Sequence, residues 1–325
     1  MQTTPVILDV DTGADDALAI LFAARHPALD LRAVTCVSGN THVDQVVHNT
    51  HAVLEAAGVR DLPVARGAER PLVNAPLDAT YFHGPDGLAG LSTAVEPVVG
   101  GRSDAVDLLR EQIVASPTPV TVVPLGPMTN IALLLRTHPD VLANVERVVF
   151  MGGSAGTGNA SAVAEYNVWI DPEALAVVLS CDVPVTMYGL DVFYAPVIGP
   201  QTYTVWQVHT DPAVRMAGHL TAHLHAVVGD EPRSGNGGGL GDAGAVCSIV
   251  DPSLLRVRRL PVQVEIAPGV TRGQVVVDRR ELPGEDVLHG LHRSARPVDV
   301  ALGVDAPRLV DLFANTLLAG PPPAP

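Results

Sequence analysis

The sequence predicts an α/β fold: a single-domain, Rossmann-like, mostly parallel sheet with helices on both faces. Three observations carry that expectation. Short, almost wholly apolar runs alternate with helix-like stretches from Val6 to Met187. With 325 residues, 47% of them hydrophobic, the chain can bury a large core. Neither an internal repeat nor a linker long enough to separate two domains interrupts the pattern.

Val6 to Val10 is the first apolar run, and the turn at Thr12-Gly13 leads into a helical stretch headed by Asp15-Asp16 and ending at Arg25. The alternation continues with strands over Leu31 to Val37, Val120 to Pro124, Arg147 to Met151 and Val183 to Met187. Helices are predicted over Val43 to Ala57, Asp104 to Ala115, Met128 to Arg136 and Pro172 to Cys181. Strands that are apolar throughout are those covered on both faces. Asp211 to Val228 reads as an amphipathic helix carrying His219, His223 and His225 and stopped by Gly229. Pro232 to Gly244, with the run Ser234-Gly235-Asn236-Gly237-Gly238-Gly239, is expected to be a mobile loop. Val262 to Ile266 and Gln274 to Val277 form a hairpin, and Asp305 to Leu318 closes the chain as a helix. The domain is expected over residues 1–319, with 320–325 a frayed proline-rich tail.

Composition excludes several partners. No stretch approaches ~18 uninterrupted apolar residues, and Met1 to Pro5 run into a strand without a leader, so a soluble cytoplasmic protein without a membrane partner is expected. The formal net charge is −15 and no lysine occurs, which makes a phosphate backbone, and so nucleic acid, a poor partner. Cys36, Cys181 and Cys247 are widely spaced in apolar surroundings and read as small buried hydrophobes.

In a doubly wound sheet, ligands bind beyond the carboxyl ends of the strands. Asp9, Asp11, Asp15 and Asp16 crowd one such end. A single aspartate there would simply cap the helix. Four repel one another unless a cation sits among them, and oxygen ligands suit calcium or magnesium.

Asp9-Val10-Asp11-Thr12-Gly13-Ala14-Asp15-Asp16-Ala17 resembles the N-terminal signature of the inosine-uridine-preferring nucleoside hydrolase family. Gly39-Asn40, His83-Gly84, Leu125-Gly126-Pro127-Met128-Thr129-Asn130 and Met151-Gly152-Gly153 follow in the family's order. Gly158-Asn159, Ala164-Glu165-Tyr166-Asn167, Asp171-Pro172-Glu173-Ala174, Asp242 and Asp251-Pro252 extend the likeness over nearly the whole chain. The resemblance implies the nucleoside hydrolase fold and hydrolysis of the N-glycosidic bond of a small-molecule ribonucleoside, by a homodimer or homotetramer. It also implies a Ca2+ ion held by Asp11, Asp16, Asp242 and the Leu125 carbonyl. In that scheme Asp11 is the base and Asn40 orients the water, while Asp15, Asn159, Glu165 and Asn167 bind the ribose.

One position departs from the pattern. Where many members carry His or Trp before the last metal aspartate, this chain has Gly241, which can neither donate a proton nor stack. His83, which matches a family position near the base, can compensate. His219 and His223, four apart on one helix face, are further possible leaving-group contacts. Tyr81, Phe82 and Trp169 are read first as core or loop packing. Two rival readings are a non-catalytic ribose or nucleoside binder of the same fold and a haloacid-dehalogenase-type phosphatase with Asp9 as nucleophile. The second is disfavoured because no lysine is present to balance a phosphate.

Overall fold

In a computed structural model describing residues 3–92, 104–229, 237–282, 284–290 and 295–320, the chain opens with β1 (Thr4–Val10), α1 (Ala14–Arg25), β2 (Leu29–Cys36), α2 (Val43–Ala57) and β3 (Val64–Arg66). There follow α3 (Thr80–His83), α4 (Ala105–Ala115), β4 (Val120–Pro124), α5 (Thr129–Thr137), β5 (Val145–Met151), α6 (Tyr166–Ile170), α7 (Pro172–Ser180) and β6 (Val185–Tyr188). Next come α8 (Leu190–Phe193), β7 (Val197–Ile198), α9 (Pro200–Trp206), α10 (Pro212–Val228), β8 (Gly238–Gly239) and α11 (Ala243–Val250). The last elements are β9 (Leu255–Val264), β10 (Val275–Val277), α12 (Glu285–Leu288), β11 (Arg296–Val304) and α13 (Ala306–Leu318).

Side chains of β1 divide the interior. Val6, Leu8 and Val10 enter one core with α1, α2, α10, α11 and α13, while Ile7 enters a second core with α4, α5 and α7. Alternation along a strand covered on both faces requires this split. Helix α1 is enclosed almost completely, from Ala14 to Ala23. Its last residue, Arg25, is buried and forms a two-pronged ion pair with Asp211, both contacts at 2.9 Å, which ties α1 to the start of α10.

The main sheet runs β10-β9-β11-β6-β5-β4-β1-β2-β3. Pairing in this sheet is parallel from β3 through to β11, whereas β9 pairs antiparallel with β11 and β10; β7 and β8 form a separate antiparallel pair. The chain winds outward from β1 to β3 and returns on the other side at β4, so the strand order reverses between β1 and β4. Loops diverge at that point, leaving a crevice at the carboxyl ends of the two strands. Among the described residues, no helix is long and apolar enough to cross a membrane.

Three expectations needed correction. The hairpin is longer, since β9 begins at Leu255; Arg256, Arg258 and Arg259 lie exposed there and hide an apolar strand pattern. Its main partner is the unforeseen β11, which inserts between β9 and β6. The expected loop over 232–244 divides: residues 230–236 lie outside the described residues, whereas 237–244 hold β8, the turn at Gly241 and the start of α11. Helix α11 escaped notice because it is buried nearly all round and shows no amphipathic period. Of the expected tail, 321–325 also lie outside the described residues.

Candidate active site

Asp9 forms the floor of the site. It is fully buried, and its Oδ1 accepts hydrogen bonds from Thr35 Oγ1 at 2.6 Å and Asn130 Nδ2 at 2.8 Å. Asn130 Nδ2 also donates to the Cys36 carbonyl at 3.0 Å, and its Oδ1 accepts from the Ala68 N–H at 2.8 Å. Two strands, a loop and helix α5 are thus pinned around one carboxyl. Burial pushes the Asp9 carboxyl up to about 7, against the lowering effect of Asn130 and Thr35. Asp9 does not line the cavity described below and acts as a brace.

Asp11 follows β1 and is buried, with its Oδ2 accepting from the Asn40 N–H at 2.8 Å. The loops beyond β2 and β4 close over it at Gly39 and Gly126. A Cβ at Gly126 would come within 2.6 Å of the Asp11 carboxylate, and one at Gly39 would fall on it. Asp16 Oδ2 accepts from the Gly13 N–H at 2.9 Å and from Asn40 Nδ2 at 3.1 Å, so Asp16 does cap α1. Its Oδ1, equally buried, has no hydrogen-bond partner among the described residues.

Carboxylate oxygens of Asp15, Asp16 and Asp242 lie within 4.8 Å of one another, all three residues buried. Asp242 arrives from the far end of the chain, at the head of α11. Burial, reinforced by Asp15, holds the Asp16 carboxyl up to about 7. Asp242 is held well above the usual carboxylate range by burial and then by Asp15, Asp16 and Asp11; Asp11 is held there by burial and then by Asp16. Such crowding is costly for the charged forms, and a divalent cation among them reverses the cost. The unpartnered Asp16 oxygen and the all-oxygen donor set fit a hard cation. The tight trio therefore includes Asp15, to which the family resemblance gives a role at the sugar. Asp11 faces Asp16 and Asp242 electrostatically, and the Leu125 carbonyl, which accepts from Asn167 Nδ2 at 2.6 Å, borders the same space as Asp11.

This cluster opens into a cavity of about 320 Å³ whose lining includes Asp11, Asp15, Asn40, His83, Leu125 and Asp242. Asn159, Glu165 and Asn167 line it as well. Glu165 is buried and caps α6: Oε1 accepts from the Asn167 N–H at 2.9 Å, and Oε2 from the N–H groups of Gly153 and Val168 at 3.0 and 3.1 Å. Burial raises its acid to about 7 despite those bonds. Asn159 Oδ1 accepts from the Tyr166 N–H at 2.9 Å, which sets its side chain at the cavity edge.

The histidines separate. His83 Nδ1 accepts from the Ala14 N–H at 3.1 Å and lies 3.8 Å from Asp15 Oδ1. That bond leaves Nε2 as the protonated nitrogen of the neutral ring, and burial lowers the imidazole's basicity. His223 is half-buried and its Nε2 donates to the Phe82 carbonyl at 2.9 Å, bracing the helix that carries His83. His219 is exposed, and neither it nor His223 lines the cavity.

Phe193 and Tyr194 line the cavity too, and sequence reasoning passed over both. Phe193 ends a four-residue helix after β6 and Tyr194 follows it, with no periodicity to mark them. Their place beyond the carboxyl end of a parallel strand was the available signal. Tyr81 and Phe82 border the cavity, whereas Trp169 packs against Tyr166, ring centroids 6.4 Å apart.

Comparison with known proteins agrees with this geometry. A profile of the inosine-uridine preferring nucleoside hydrolases matches residues 6–311. The chain is 35% identical, over 97% of its length and 96% of the relative's, to the pyrimidine-specific ribonucleoside hydrolase RihA of Shewanella sp. strain ANA-3. It is 38% identical to the inosine-uridine preferring nucleoside hydrolase of Leishmania major, covering 85% of this chain and 88% of that one. Among solved structures, the purine-preferring ribonucleoside hydrolase from Gardnerella vaginalis superposes with a TM-score of 0.85 at 29% identity, covering 97% and 98% of the two chains. A plant nucleoside hydrolase, PpNRh1, gives a TM-score of 0.86 at 26% identity, covering 97% and 99%. Aspartates from both ends of the polypeptide, meeting at the switch point of this sheet, thus accompany likeness over the whole chain: the protein belongs to the inosine-uridine preferring nucleoside hydrolase family and is a nucleoside hydrolase.

Proposed function

We propose that this protein hydrolyses the N-glycosidic bond of a ribonucleoside in a calcium-dependent reaction, giving ribose and the free base. The observation that carries the reading is the buried trio Asp15, Asp16 and Asp242, with one Asp16 oxygen lacking a partner among the described residues, beside a cavity that Asp15 and Asp242 line together with Glu165, Asn40, Asn159 and Asn167. The relatives are named for pyrimidine, purine or inosine-uridine preference, so what their names share is the ribonucleoside and not the base.

Asp16 and Asp242, with Asp11, Asp15 and the Leu125 carbonyl around them, are the groups that would hold the ion. When bound, calcium makes a neighbouring water more acidic and fixes a sugar diol. Asp11 takes the proton of the attacking water: its carboxylate stands beside the proposed ion site and is fixed there by the Asn40 N–H at 2.8 Å. The water oxygen bonds to the anomeric carbon, the C–N bond breaks, and its electron pair leaves with the base. Positive charge on the sugar in that transition state is stabilised by the surrounding carboxylates. Asp15, Asn159, Glu165 and Asn167 bind the ribose hydroxyls, with Asn159 and Glu165 already oriented by backbone N–H groups. His83 can meet the departing base only through Nε2–H, as a neutral donor.

A homodimer or homotetramer and a cytoplasmic location belong to the same reading, and light scattering tests the first. A reducing-sugar assay over a panel of ribonucleosides tests the activity. Ribose released from at least one member supports it. Calorimetric binding of nucleosides with no ribose released over long incubation favours the non-catalytic binder.

A further inference from the structure

We propose that Phe193 is the apolar wall against which the planar heteroaromatic base is held, whichever base it is, an inference that rests on the ribonucleoside reading above. Gly241 has a left-handed backbone, φ +51°, which L side chains rarely adopt. A Cβ there would lie 2.8 Å from Asp15 Cβ and 3.0 Å from Phe193 Cζ. Phe193 and a side chain at 241 therefore compete for one space beside Asp15 and Asp242, and in this chain the ring holds it.

The ring is braced. Phe193 and Tyr194 meet edge to face with centroids 5.1 Å apart at 83°, and the Tyr194 hydroxyl lies 3.5 Å from Asn159 Nδ2. Phe193 is half-buried, so part of it remains free to meet a ligand in the cavity it lines. The groups proposed to bind the sugar, Asp15, Asn159, Glu165 and Asn167, line the same cavity as this ring. A phenyl ring offers an apolar, stackable face and no proton. It recognises the plane that purines and pyrimidines share, in place of a donor and acceptor pattern on the base edge.

The test compares the parent enzyme with Phe193→Leu, which keeps apolar bulk and removes the ring, using uridine and inosine as substrates and D-ribose as a base-free inhibitor. The expected result is a rise of about tenfold in KM for both nucleosides, the inhibition constant for ribose changing less than about twofold. Unchanged nucleoside KM, or equal weakening of nucleosides and ribose, overturns the inference, since the ring would then only support the aspartate cluster. Phe193→Met gives the same reading should the leucine variant fail to fold. A parent that releases no ribose from any ribonucleoside overturns the functional reading and this inference together; an active parent with an unmoved ratio overturns the inference alone.

Discussion

Asn130 Nδ2 lies 2.8 Å from Asp9 Oδ1, so a helix on one face of the sheet fastens the strand end that leads into Asp11 and on to Asp15 and Asp16 in the first turn of α1. Removing the amide leaves Asp9, the Cys36 carbonyl and the Ala68 N–H short of a partner. Each buried group left unsatisfied costs about 1–3 kcal/mol. Asn130→Ala is therefore expected to lose at least about 2 kcal/mol in urea denaturation, and to lower kcat although Asn130 does not border the active-site cavity. Wild-type stability in that variant contradicts the bracing role.

The pH response follows from the sign of the carboxyl shifts. Asp16 is raised from 3.8 to about 7, so the folded, cation-free protein binds this proton more tightly than the unfolded chain does. Its contribution to stability is present at low pH and is lost as pH rises through the folded value. Asp11 and Asp242 are shifted in the same direction. A cation needs the deprotonated carboxylates, so its stabilising effect runs the other way. The rise in Tm on adding calcium is expected to be larger at about pH 8 than at about pH 5. A rise independent of pH would argue against binding at this cluster.

The proposed hydrogen bonding to the ribose predicts discrimination at the sugar. Groups that pair with a hydroxyl are left unsatisfied when it is missing. Uridine is expected to exceed 2′-deoxyuridine in kcat/KM by at least about a thousandfold. A ratio near one would mean that Asp15, Asn159, Glu165 and Asn167 do not grip the diol.

Gly241 supplies no proton to the departing base, and His83 offers only a neutral Nε2–H. A good leaving group should therefore be favoured. p-Nitrophenyl riboside is expected to be cleaved faster than inosine or uridine, and equal rates on all three would contradict weak leaving-group activation.

Much of this was legible in the sequence where chemistry is local. The apolar runs of β1, β4 and β5 and the aspartates after β1 needed no tertiary information. The reunion of Asp242 with Asp16 rested on family resemblance alone, which set Asp11 and not Asp15 beside them, because nothing local to Asp242 says where α11 packs. Strand β11 stayed hidden because it begins with exposed Arg296-Pro297 and earns its central place only through partners on both sides. Phe193 was missed for a similar reason: its meaning depends on Gly241, distant in sequence and adjacent in space.

In the proposed site Asp15, Asp16 and Asp242, with Asp11 beside them, hold one divalent cation. Calorimetric titration of calcium into chelator-treated protein tests it most directly, with Asp242→Asn and Asp16→Asn run alongside. One saturable site in the parent, lost or weakened at least about tenfold in both variants, is the expected result. Absence of calcium binding in the parent, or equal affinity in all three proteins, would contradict the account.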